Sequence, residues 1–178
     1  MKATDLLEAQ HRDVEKLFES LEAAEAPAQK REIFEELASS LVAHDAIERE
    51  LFYPACEKAM GMTDLLGEAL VEHGVVEFSL YEADQAQGKK DFDFKVKVLK
   101  EMVEHHVEEE EDEFFPQVEE ALGDESLEAL GQKMEQRFES ARESDFRPPL
   151  HDNLNQVLAG AMKTRKAKPA SGKHKKSA

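Results

Sequence analysis

Shifting the chain by 62 residues lays one half on the other at its most chemically distinctive positions. His11 falls on His73, Glu15 on Glu77, His44 on His106 and Glu48 on Glu110. Further along, Phe52 falls on Phe114, Pro54 on Pro116 and Gly61 on Gly123. Two copies of one supersecondary unit, neither able to bury its apolar face alone, must pack on each other. The repeat therefore predicts two similar hairpins related by a pseudo-twofold axis.

Punctuation along the chain makes those hairpins helical. A first helix is predicted over residues 4–22, with Thr4 at its N-cap and its end before Pro27. A second covers 28–60 and is closed by Gly61. A third starts after Thr63 and ends at Gly88, and a fourth runs from Asp91 or Asp93 to Gly123. Beyond the repeat, a fifth helix is expected over 124–144, stopping before Arg147-Pro148-Pro149, and a short sixth over 150–162. With no Trp, two Tyr, eight Gly and six Pro in 178 residues, and Ala, Glu, Leu and Lys abundant, the chain favours helix over strand. The expectation is an all-α, up-down-up-down four-helix bundle over residues 1–122, a helical extension over 123–162 and a disordered basic tail over 163–178.

Steps of three and four place an apolar stripe on each bundle helix. The first reads Thr4, Leu7, His11, Val14, Phe18, Leu21, and the second Phe34, Leu37, Leu41, His44, Glu48, Leu51, Ala55. The third reads Met62, Leu66, Ala69, His73, Val76, Leu80, Ala83, and the fourth Val96, Leu99, Val103, His106, Glu110, Phe114, Gln117. Each stripe is broken near its middle by a histidine, and two of them by a glutamate one turn later. A buried ionised carboxylate costs several kcal/mol unless it is paired or coordinated. Four imidazoles and two carboxylates pointing into one core are thus better explained by a metal cluster than by a hydrogen-bond network. Residues i and i+4 share a helix face, so His44 with Glu48 and His106 with Glu110 can converge on one metal or an adjacent pair. Mixed imidazole and carboxylate donors suit iron or manganese better than copper or zinc.

The stretches His44-Asp-Ala-Ile-Glu48 with Leu51-Phe52-Tyr53-Pro54, and His106-Val-Glu-Glu-Glu110 with Phe114-Phe115-Pro116, resemble the two signatures of the hemerythrin-like HHE cation-binding domain. His11 and Glu72-His73-Gly74 are similar to the other two ligand helices, so the resemblance covers roughly residues 4–122. It implies two non-haem irons bridged by an oxygen atom and by two carboxylates, here Glu48 and Glu110. His73 and His106 would serve one iron, and His11 and His44 the other. Oxygen-carrying members have a histidine four residues after the third-helix ligand, where this chain has Glu77. By position Glu77 joins the ligand set, and its charge favours the oxidised metal over reversible oxygen carriage.

The neighbouring residues receive plainer readings. Glu15 lies at the stripe's edge, His105 is a solvent-exposed partner for Glu109, and residues 108–113 are a solvated acidic face with Glu110 turned inward. Cys56 is a small buried hydrophobe, Tyr53 and Phe115 pack the end of the bundle, and His151 and His174 are not ligands. In the fifth helix Leu127, Leu130, Met134, Phe138 and Ala141 share one face, to be buried on the bundle or on a second subunit.

Net charge is −17, but residues 163–178 carry seven Lys or Arg and no acid, which leaves −24 on the first 162. Such a body repels nucleic acid and anionic membrane, so polyanion contacts could rest only on the tail. One cysteine excludes an internal disulfide and fits a reducing compartment. No charged-then-apolar leader opens the chain and no run approaches the ~18 apolar residues of a span, so the expectation is a soluble, cytoplasmic protein. Two function classes follow. The first is a di-iron protein that binds iron and dioxygen or another small diatomic, for sensing, storage or delivery. The second is a di-iron enzyme for peroxide or nitric-oxide detoxification or for repair of damaged iron centres. An interaction protein with a vestigial site is a third.

Overall fold

The computed structural model describes residues 1–160, so the basic tail lies outside the described residues. The first bundle helix is α1 (Ala3–Ala23). The second is a single rod made of α2 (Pro27–Ile47), a π-helical turn (Glu48–Phe52) and α3 (Tyr53–Met60). The third is α4 (Asp64–Gln85). The fourth repeats the second, with α5 (Phe92–Glu109), a π-helical turn (Glu110–Phe114) and α6 (Phe115–Leu122). After them come α7 (Asp124–Arg142) and α8 (Arg147–Leu158). These form the up-down-up-down bundle with two further helices.

The helix ends follow local chemistry. Thr63 Oγ1 accepts from Leu66 N–H at 3.1 Å and caps α4. Gly61 and Gly123 take φ of 78° and 71° at the ends of α3 and α6, a conformation that carries no steric cost without a Cβ. Thr4 is not the N-cap expected of it. α1 begins one residue earlier, Asp5 accepts from Lys2 N–H at 3.1 Å, and the Thr4 hydroxyl donates to Glu119 at 2.6 Å. Nor do Pro148 and Pro149 only block a helix. They sit in the first turn of α8, where a missing N–H leaves no bond unmade.

The two π turns are where the stripes depart from expectation. Tyr53 N–H bonds to Glu48 O and Phe115 N–H to Glu110 O, both five residues back. The extra residue turns the rest of each helix by about 100°. Leu51 and Ala55 are therefore only partly buried and Gln117 is exposed, while Tyr53, Cys56, Phe115 and Val118 are buried in the core. Met62, taken as the start of the third stripe, precedes α4 and is 56% exposed.

The core is split by the polar layer. One cluster, with Leu7, Ile47, Phe52, Leu66, Phe114 and Val118, lies at one end of the bundle. The other, with Phe18, Phe34, Leu37, Leu80, Val96 and Leu99, lies at the opposite end. The histidine and glutamate positions fall between them along every helix. α7 buries Leu127, Met134 and Phe138 in the first cluster and packs on α2 and α1, so its apolar face is covered within the chain. Arg137 fixes it further by a fork to Glu50, Nε–Oε2 2.8 Å and Nη2–Oε1 3.0 Å. α8 lies along α4 and adds Phe146 and Leu150 to the second cluster.

Gly131 lets α7 pass close to the chain's start. A Cβ there would stand 2.5 Å from Met1 O and 3.0 Å from Lys2 C, both backbone atoms. Gly→Ala inside a helix normally adds roughly 1 kcal/mol. Here Gly131→Ala should instead lower stability by about 1–3 kcal/mol through overpacking. Urea unfolding measures the sign, and a stabilised variant would show that the first residues yield without cost.

Candidate metal centre

Seven residues were expected to meet in the core, and six of them do so closely. Donor atoms of His11, His44, Glu48 and Glu110 lie within 4.8 Å of one another, as do those of Glu48, His73 and His106. His11 Nε2 and His44 Nε2 are 3.3 Å apart, and His73 Nε2 and His106 Nε2 3.1 Å. Glu48 stands between the pairs, with Oε2 3.1 Å from His44 Nε2 and 3.2 Å from His73 Nε2. Glu110 mirrors it, 3.6 Å from His11 Nε2 and 3.8 Å from His106 Nε2. Both carboxylates are at most 2% exposed.

Every imidazole presents Nε2 to the centre because Nδ1 is held from outside. Gln10 Oε1 holds His44 and Glu72 Oε2 holds His106, each at 2.8 Å. Gln10 and Glu72 are themselves related by the 62-residue shift. Glu111 Oε1 holds His11 at 2.7 Å, and Asp45 Oδ1 holds His73 at 2.8 Å. Such outer partners fix the tautomer and aim of a ligating imidazole.

The remaining candidates lie elsewhere. Glu77 is buried, but its Oε1 faces Arg49 Nη1 at 3.1 Å, outside the two donor groups. Glu15 is on the surface beside Arg12. His105 is exposed, 3.4 Å from Glu109 and equally far from Glu72. His151 is exposed and stacks edge-on against Tyr81, while His174 lies outside the described residues.

Besides the outer partners Gln10 and Glu72, sequence reasoning missed Tyr53, Asp45, Arg49 and Glu111. The Tyr53 hydroxyl is 2.8 Å from His73 Nε2 and donates to Glu110 Oε1 at 3.1 Å. Arg49 is 1% exposed and also lies 3.7 Å from Asp45. A usable signal existed, because these are positions where the repeat is broken. Tyr53 pairs with Phe115, Asp45 with Val107, and Arg49 with Glu111.

Charge in the layer is unevenly shared. Burial, and then the charge of Glu48, pushes Glu110 well above the usual carboxylate range. Burial acts on Glu48 in the same direction, but His44 and His73 overcome it and hold that carboxyl low. Burial would lower His73, yet Asp45 and Glu48 raise it well above its ordinary value. His11 is pushed down to about 4, mainly by burial. Without a cation, then, burial and neighbouring charge make Glu110 resist ionisation, while Asp45 and Glu48 favour the charged form of His73. Even so, Glu48 Oε1 and Oε2 and Glu110 Oε2 are fully buried with no hydrogen bond of good geometry. Orphaned anionic oxygens facing four imidazole nitrogens are the donor set of a hard-to-borderline cation.

A cavity of about 40 Å³ adjoins the four histidines, walled mostly by Val14, Leu41, Val76, Leu80, Val103 and Val107. On the same measure one water needs roughly 10–15 Å³. Glu77 lies at its edge, with its carboxyl raised to about 8 by burial and by Asp45.

The family model described as the hemerythrin HHE cation-binding domain matches residues 2–118. The chain belongs to that family, and the family and the buried His/Glu groups together point to cation binding. A similar solved structure is a hemerythrin HHE cation-binding domain-containing protein from Mycobacterium kansasii, a homologue of Rv2633c. It is 28% identical, has a TM-score of 0.74, and the match covers 86% of this chain and 99% of that one. That share exceeds the 117 residues of the family match, so the likeness runs past the bundle into the added helices. No curated protein matches. No helix among the described residues is long and apolar enough to cross a membrane.

Cys56 is fully buried, and burial together with Glu110 and Glu48 raises its thiol. A thiolate reagent such as Ellman's should find no reactive thiol in the native protein and one per chain after unfolding. Prompt native labelling would mean that the end of the bundle opens.

Proposed function

We propose that the chain is a non-haem di-iron protein, with manganese an acceptable substitute, that binds dioxygen or a comparable small diatomic. It would serve oxygen or iron sensing, storage or delivery in the cytoplasm, a compartment that the single thiol favours. The observation that carries this reading is the convergence of four Nε2 atoms on the buried Glu48 and Glu110 carboxylates beside a mostly apolar cavity. His11 and His44 would hold one metal, His73 and His106 the other, and Glu48 and Glu110 would span both. Two irons held by these residues would supply the electrons that binding or reducing a small oxidant needs.

The chain's own groups shape what binds. Arg49 engages Glu77, a pairing that would compete with bound metal for that carboxylate on the side facing the cavity. Aliphatic walls admit a small neutral molecule and exclude hydrated ions. A groove of about 270 Å³ between α1 and α5 shares His11, Val14, Val103 and Val107 with the cavity and supports access from that side.

A second reading is enzymatic. Two weak acids stand close to the centre: Glu77, raised to about 8, and Tyr53, whose phenol burial keeps protonated. Proton donors beside a redox metal favour turnover of peroxide or nitric oxide, or repair of damaged iron centres, over carriage.

Metal analysis with optical spectra of the reduced protein, before and after oxygen, tests the proposal. About two irons per chain and a near-ultraviolet band that appears with oxygen are expected. One zinc and no iron from iron-replete cells would overturn it. Reversal of the band under vacuum supports carriage, whereas rapid loss of added peroxide with a stable band supports the enzyme.

The bridging roles have their own test. Glu48→Ala and Glu110→Ala should each lose most of the metal and lower the thermal midpoint, since metal bound only by the native state stabilises it. Glu15→Ala should retain both metal and midpoint. Full metal content in either bridge variant would remove the central assignment.

A further inference from the structure

We infer that Asn153, on α8, is a positioning residue of the metal centre, acting on His73 through Asp45. The inference rests on the reading that His73 holds metal.

Asn153 is 3% exposed; its Nδ2 donates to Asp45 Oδ2 at 2.9 Å, and its side chain also hydrogen-bonds Glu77. The other oxygen of that carboxylate, Oδ1, holds His73 Nδ1 at 2.8 Å. Asp45 is itself buried, so without the amide its Oδ2 would lose a hydrogen bond where water cannot replace it. The carboxylate would then be free to turn about its side chain, and the imidazole it aims would turn with it. Two fixed bonds, one to each oxygen, remove that freedom.

The broken symmetry of the repeat shows why α8 is needed on this side only. His11, the counterpart of His73, takes its outer acceptor from Glu111 within the bundle. The position equivalent to Glu111 in the first half is Arg49, a cation that cannot accept from an imidazole. The second-half ligand therefore depends on Asp45, whose counterpart Val107 is apolar. Arg49 also draws on this carboxylate at 3.7 Å while pairing with Glu77, so Asp45 needs a fixed partner to keep Oδ1 on His73.

α8 is placed to supply it. Arg147, at its start, reaches Asp84 of α4 at 3.0 Å and also engages Glu35. Leu150 is fully buried one turn before the amide, and Leu154, the next residue along, is also covered. The helix is anchored on both sides of Asn153 by contacts that do not involve the centre.

The test compares full-length, iron-loaded wild type with Asn153→Ala, Asp45→Asn and the double variant. A ferrous chelator reads the rate of iron release. Asn153→Ala should release iron roughly ten-fold faster or more, the range for loss of an outer-sphere partner. Asp45→Asn should do at least as much, and the double variant should fall well short of the product of the two single factors, because the changes share the Asn153–Asp45 bond. Leu21→Ala, a buried position at the end of α1 far from His11, controls for packing. It should lower the thermal midpoint and leave release from the folded protein unchanged. Release from Asn153→Ala within two-fold of wild type, or a double variant in which the factors multiply, overturns the inference.

Should wild type take up no metal, the proposed function fails, and this inference is decided on the metal-free chain. Ring-nitrogen NMR of His73 must then shift in Asn153→Ala while that of His11 stays in place. An unmoved His73 overturns it.

Discussion

Two glutamates lie in the middle of an otherwise apolar bundle, and the cost of burying their charge governs the rest of the structure. Glu48 and Glu110 are almost wholly removed from water, and each would cost several kcal/mol if left uncompensated. The four imidazoles and the Tyr53 hydroxyl, with Glu110 held back from ionising by burial and by Glu48, are the compensation available from the chain itself. It is incomplete, since three carboxylate oxygens lack a hydrogen bond of good geometry. A bound cation would supply what is missing, in keeping with the cation-binding family to which the chain belongs.

The surroundings follow from that demand. The apolar core is divided into two clusters that clamp the layer from either end. Each second-member helix inserts one residue at its glutamate, and the resulting turn swings an aromatic pair under the centre. π turns of this kind recur at functional positions because they are tolerated only where tertiary contacts repay the weaker backbone bonding. On the outer side each imidazole meets a different acceptor, and the difference between the halves recruits α8 into the centre. The helices beyond the bundle are thus part of the site's support as well as of its packing.

Much of this was legible in the residues. The 62-residue repeat, the stops at Gly61 and Gly123 and the 3.6-residue stripes located the bundle helices to within a few residues. The inward turn of His11, His44, Glu48, His73, His106 and Glu110 could be read because a polar residue on an apolar stripe has few explanations. The stripes failed beyond Glu48 and Glu110, where Leu51, Ala55 and Gln117 were placed inside. A single inserted residue is invisible to an averaged period. Phe52-Tyr53 and Phe114-Phe115 offer adjacent apolar residues that satisfy either register.

What sequence by itself determined is the set of chemistries that had to be buried and the helices that carry them, because helix periodicity and charge burial are local or additive. Tertiary structure alone decided which partner each buried group would find. Tyr53 reaches His73 across 20 positions, Glu111 reaches His11 across 100, and Asn153 reaches Asp45 across 108. A hydrogen bond depends on a few tenths of an ångström and on direction, and those are set only when every helix has been packed.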